Sequence, residues 1–208
     1  MEKLLNLKNI PVTGDILNGL LGNYKASANK LSRLVAEGVL VHLRKNLYIV
    51  SPKLTKCKLS EGLMANHIYN PSYVSMLTAL RIYGIIPERV ATIQSMTVKK
   101  SWTIRNDTGY YTYTCCDSDY YKIGITYKTE EGISYMIATP EKALCDWIAY
   151  TPGINLRFIS SAKQCLADDM RMDLEFLKNM DISLLEQCLQ CSKKKESIKN
   201  VIKFIERI

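Results

Sequence analysis

At Gly38 the hydrophobic pattern of this sequence changes from helical to strand spacing, and that change constrains the fold most. Before it, Ala28, Leu31, Leu34 and Val35 share one face at about 100° per residue. After it, VLVHL and LYIV are short β-prone runs separated by Arg44, Lys45 and Asn46. Upstream, Thr13 is suited to cap a helix through Leu21, with Ile16, Leu17, Leu20 and Leu21 apolar at helical spacing. Gly22 and Asn23 stop that helix; Ser27 can cap a second running to about Glu37, which Gly38 ends. Helix, tight polar turn, basic helix, glycine, strand, basic turn and strand is the order of a winged helix-turn-helix.

The second helix divides by chemistry. Asn29, Lys30 and Arg33 point away from the apolar face, with Ser32 on the flank and Ser27 at the helix start. Asn and Arg carry paired polar atoms that match base edges in the major groove, and Lys suits phosphate. A recognition helix meets bases near its N-terminal end. Arg44, Lys45 and Asn46 would form the wing tip, placed to reach backbone or minor groove.

Charge follows the same division. Residues 1–58 hold 10 Lys and Arg against 3 Asp and Glu, whereas residues 59–208 hold 18 against 17. Nearly all of the net +8 therefore sits in the first quarter, as expected of a part that meets a polyanion. Double-stranded DNA is the partner this predicts.

Other classes are disfavoured. No apolar run is long enough to span a bilayer, and the first ten residues lack the features of a signal peptide, so a cytoplasmic protein is expected. Seven cysteines without an export signal suggest free thiols. Cys188 and Cys191 have CxxC spacing, but there is no second such pair and only two histidines, His42 and His67. A closed zinc site needs four ligands. The cysteines read as buried small hydrophobes, and neither metal nor cofactor is expected.

Pro52 to Lys58 is a basic connector, so the expected parts are residues 1–56 and 57–208. Ser60 to Ile68 favours a helix, and Asn70 with Pro71 begins another, carrying Tyr73, Leu77, Leu80 and Gly84 on one stripe. Val90–Val98, Tyr110–Cys116, the alternation from Tyr120 to Tyr127, and Ile133–Ala138 read as strands. Thr139 and Pro140 open a helix with Ala143, Leu144, Trp147 and Ile148 as its apolar face. Lys142 and Asp146, four apart on the opposite face, read as an exposed pair. Leu174 to Ile208 is helical, with Lys193–Lys195 a solvated face or turn. The fold class is α+β: a winged helix-turn-helix, then a body with a sheet of about four strands and a helical tail.

No catalytic centre is legible. Asp117 and Asp119 have the spacing of a metal-binding pair, but Gly109 is followed by Tyr110, without the Gly-Ser turn that a nucleotidyltransferase requires; a turn between strands accounts for them. No Gly-rich phosphate loop or hydrolase triad is present.

The segment KLSRLVAEGVLVHLRKNLYIV resembles the winged-helix start of the AbiEi family of abortive-infection antitoxins. ANHIYNPSYVSMLTALRIYGIIPE and IATPEKALCDWI resemble that family's body, so the likeness spans roughly residues 10–150. The resemblance implies that the winged helix represses the protein's own operon. It also implies that the body counters a nucleotidyltransferase toxin encoded beside it, without a stable complex. Tyr73, Arg81, Lys142 and Asp146 fall in the two body motifs and form the antitoxin surface that the resemblance suggests. Asn46 stands where many members have Gly, and Asn tolerates a left-handed backbone. Two alternatives stand beside this reading. One is a winged-helix repressor whose body binds a ligand or dimerises. The other is a nucleic-acid-processing enzyme using Lys99, Lys100, Trp102 and Arg105.

Overall fold

The computed structural model describes residues 2–22 and 27–208, with the backbone alone for Ser27 and Ala28. The expected stop at Asn23, the turn after it, the Ser27 cap and the orientation of Ala28 lie outside the described residues. The N-terminal unit contains α1 (Glu2–Leu5), β1 (Val12–Thr13), α2 (Gly14–Leu20), α3 (Ser27–Ala36), β2 (Leu40–Arg44), β3 (Leu47–Val50) and α4 (Pro52–Thr55). At the end of α3, Gly38 has φ +71°, and the amides of Gly38 and Val39 donate to the carbonyls of Val35 and Leu34. That left-handed cap is why the helix stops where the period changes. Strands β2 and β3 form the expected hairpin, and β1 adds a third strand in the order β1-β3-β2.

The body comprises α5 (Glu61–Ile68), β4 (Ser72–Val74), α6 (Met76–Ile82), β5 (Thr92–Thr97), β6 (Trp102–Asn106), β7 (Gly109–Cys115), α7 (Ser118–Tyr121), β8 (Ile125–Glu130), β9 (Ile133–Ala138) and α8 (Pro140–Tyr150). It ends in α9 (Ile159–Lys163), a π-helical turn (Gln164–Asp169), α10 (Leu174–Lys178), α11 (Ile182–Cys191) and α12 (Lys195–Ile205). The fold is mixed α and β around a six-stranded sheet of order β6-β7-β5-β4-β9-β8. Strand pairs β4–β9 and β5–β7 are parallel; the other neighbours are antiparallel.

Two sheet faces are covered differently. On one, Ser72 Oγ and Tyr113 OH donate to the Ala65 carbonyl of α5, at 3.4 and 2.8 Å. On the other, Tyr73 meets α8, and α6 packs on β5.

The sheet has more strands than the sequence patterns suggest. Expected helix start Pro71 is corrected: the chain passes into β4, and α6 begins only at Met76. Tyr73 therefore does not share a helical stripe with Leu77 and Leu80. Strand β4 is central and buried on both faces, so it shows no period-two alternation. Tyr120 and Tyr121 lie in α7, and the strand expected across them starts only at Ile125.

The β2–β3 hairpin is shared by two cores. Leu40 and Val50 pack with Val12, Leu17, Leu31 and Leu34 of the N-terminal unit. Leu43, Leu47 and Ile49 belong to the body's core. The charge break near Lys58 thus suggests more independence between the parts than the packing permits. Ile49→Ala, at a fully buried site, should cost about 2–5 kcal/mol. Urea unfolding followed by separate probes of the two parts should still give one coincident transition. Two separated transitions in the wild type would contradict shared packing.

Candidate functional site

The helix-and-hairpin surface follows from how α3 is buried. Leu31 and Leu34 face the N-terminal core and Val35 is half-buried, while Asn29, Ser32 and Arg33 are exposed and Lys30 is half-buried. The expected division of the helix holds for these residues. Arg33 Nε lies 3.3 Å from Glu37 Oε1, an exposed i,i+4 pair worth a few tenths of a kcal/mol. A stronger acceptor can displace so weak a partner. In the hairpin, Arg44 and Lys45 are exposed at the turn.

Asn46 differs from its neighbours. Its φ of +59° gives the expected left-handed turn. Its Oδ1 accepts from the Gly14 amide at 3.1 Å, and its Nδ2 donates to Asp15 Oδ2 at 3.3 Å. The side chain caps the start of α2, where Thr13 makes no side-chain cap. At the hairpin turn, Arg44 and Lys45 are therefore the cationic side chains offered outward.

Tyr73, Lys142 and Asp146 come together, but not at a surface. Lys142 and Asp146 are both 0% exposed, with Nζ 3.1 Å from Asp146 Oδ1. The expectation of an exposed pair on α8 is corrected, and so is a surface containing these three residues. The reason is the setting of α8, which packs against α6, α11, α12 and β9, so its second face also meets protein. Lys142 Nζ donates to the Tyr120 carbonyl at 2.8 Å and sits 3.0 Å from the centre of the Tyr120 ring. Asp146 Oδ2 accepts from Ser75 Oγ at 2.6 Å and Tyr73 OH at 3.1 Å. Burial pushes the Asp146 carboxyl up, against the pull of Lys142 and Ser75. Burial likewise holds the Tyr73 phenol well above its usual value and pushes the Cys116 thiol up to about 12. Gly124, at φ +59°, passes so close that a Cβ there would lie 2.8 Å from that of Lys142. The network joins β4, α7 and α8 at one point. Ser75 belongs to the PSYVS motif, but Tyr120 carries no motif that would have drawn attention to it.

The fourth residue of that group, Arg81, stands apart on α6, 3.9 Å from Glu61 Oε2 and about one-third exposed. Lys193 and Lys194 form the expected turn before α12, but it is not simply solvated. Lys194 Nζ donates to the carbonyls of Ile148, Thr151 and Ile154 at 3.0, 2.7 and 2.9 Å, stabilising the C-terminus of α8. Lys193 pairs with Asp117 at 3.2 Å, and Asp117 precedes α7 rather than filling a turn between strands. Cys115 and Cys191 are exposed, so not all cysteines are buried hydrophobes. Within the Lys99-to-Arg105 stretch, Lys99, Lys100 and Trp102 meet at Tyr69, whereas Arg105 lies further along β6. Trp102 packs on Tyr69 and Tyr113, Lys99 Nζ donates to the Asn70 carbonyl, and Arg105 pairs across the strands with Tyr110. No group of three or more metal-ligating side chains is found among the described residues, and none of the helices described is long and apolar enough to cross a membrane.

The fold and its exposed surfaces define a mixed α and β protein with a multistranded sheet and a basic N-terminal helix-and-hairpin face. No family model and no curated protein matches the chain. Among solved structures, it is similar to the "Crystal structure of RV2827C protein from Mycobacterium tuberculosis", with a TM-score of 0.48 and 11% identity over 99% of this chain and 79% of that one.

Proposed function

We propose that this chain is an AbiEi-type antitoxin that binds double-stranded DNA at the promoter of its own operon. Residues 1–56 act as a winged helix-turn-helix, and residues 57–208 counter a nucleotidyltransferase toxin in the cytoplasm without a stable complex. The observation that carries the DNA reading is the pairing of α3, apolar face buried and Asn29, Ser32 and Arg33 outward, with a hairpin that turns Arg44 and Lys45 outward. Asn29 and Arg33 supply base-edge chemistry, and Arg44 and Lys45 supply phosphate contacts. The antitoxin half rests on the motifs PSYVSMLTALRIYG and TPEKALCDW. Burial of Tyr73, Lys142 and Asp146 gives those motifs a role in shaping the body rather than touching a partner.

The two halves separate in one experiment. The toxin is driven from an unrelated promoter, so repression cannot protect. Cells receive the wild-type chain or Arg33→Ala with Arg44→Ala and Lys45→Ala. Rescue by both is expected. Failure of the wild type, with both proteins expressed and folded, would remove the antitoxin half and leave a repressor.

A further inference from the structure

The basic hairpin contains an irregularity that the body resolves. Strand register shifts between His42 and Arg44, so Leu43 is the extra residue of a β-bulge. Such a residue is left outside the ladder, and its backbone needs another partner. Leu43 is buried, and its carbonyl accepts from Asn106 Nδ2 of the body at 2.9 Å. Asn106 ends β6 and opens the turn to β7. Its Oδ1 accepts from the Thr108 amide at 2.8 Å and from Thr108 Oγ1 at 2.6 Å, which fixes the amide's orientation. Thr108 Oγ1 lies 2.9 Å from Tyr111 OH, and Tyr111 is fully buried against Met64 of α5. A chain of fixed groups thus runs from the body's core to the residue before Arg44.

We infer that Asn106 is a positioning residue for the basic hairpin, setting from the body where Arg44 and Lys45 present their charges. The inference rests on the DNA-binding reading above for its consequence, though not for its geometry. A bulge whose extra carbonyl is unheld gives the turn more than one arrangement, and a contact ordered only on binding costs affinity. Asn106 never touches DNA in this account. It acts through Leu43, so the hairpin's contribution should depend on it while that of α3 should not.

The test uses the full chain and two readouts. The first is amide hydrogen exchange over residues 43–47 without DNA. Exchange should quicken in Asn106→Ala and in Asn106→Asp, which keeps the acceptor for Thr108 and turns the donor to Leu43 into a carboxylate oxygen that repels its carbonyl. Exchange in α3 should not change. The second is a double-mutant cycle on the promoter fragment. Asn106→Ala should weaken binding about 3–10-fold, the range for one net hydrogen bond. In that background Lys45→Ala should lose most of its effect, whereas Arg33→Ala should keep its full effect. Where Asn106→Ala does not fold, Asn106→Asp carries the exchange measurement. Unchanged exchange at residues 43–47, or full additivity with Lys45→Ala, would overturn the inference. If the wild type binds no DNA, the DNA-binding reading falls, and exchange alone decides whether Asn106 holds the hairpin.

Discussion

Asp146→Asn should destabilise the protein by about 3–5 kcal/mol, although the change keeps the side chain's shape. The Asn oxygen can still accept from Ser75 or Tyr73, but Lys142 is left as a fully buried ammonium facing no charge. Lys142→Met should also destabilise, by less. The remaining carboxyl keeps two hydroxyl donors and can take up a proton, as its upward-shifted pKa favours. The double variant should recover much of the loss, because a buried pair replaced as a unit leaves no orphaned charge. Urea unfolding with unchanged slope is the measurement. An exposed pair would behave otherwise, each single change costing under about 1 kcal/mol.

The pH dependence of Lys142→Met follows in sign. A carboxyl whose folded pKa lies above its unfolded value contributes stability below that unfolded value, about 3.9, and the contribution is lost as pH rises through the folded pKa. Removing the cation raises that folded pKa further. The variant should therefore regain stability relative to wild type as pH falls from neutrality. A gap that widens on acidification would contradict this account of Asp146.

Arg33→Ala and Lys45→Ala should fail in different ways. On the proposed reading the exposed Arg33 of α3 meets a base edge, so its loss should reduce preference for the promoter over random DNA by about 1–3 kcal/mol. The exposed pair with Glu37 that it gives up on binding is too weak to offset this. Lys45 sits at an exposed turn, and the proposed reading has it meet phosphate there. Its loss should weaken promoter and random DNA alike and lower the salt slope by about one. Identical behaviour of the two variants would mean that α3 does not present the reading face.

The elements most legible in sequence were those whose surroundings repeat along the chain. The α3 period, the Gly38 stop, the hairpin and the Thr139–Pro140 helix start all depend on neighbours within a few residues, and each is found in place. Strand β4 was not legible, because a short central strand buried on both faces has no alternation to read. Lys142 and Asp146 misled for a related reason. Helical spacing puts them opposite Ala143 and Leu144, and nothing local tells whether that opposite face meets water or Tyr73 and Tyr120. Asn46 and Asn106 have polar partners in α2 and β2, far away in sequence. Their roles as a cap and a clamp were legible only once the chain was folded.

Promoter-specific DNA binding can be read from a salt titration. Fluorescence anisotropy of a labelled fragment from upstream of the protein's own operon is compared with a shuffled fragment of equal length. Binding to the promoter should be about 10³-fold or more tighter than to the shuffled fragment. The logarithm of the affinity for both should fall linearly with log salt concentration. Equal affinity for the two fragments at every salt concentration would contradict promoter-specific binding.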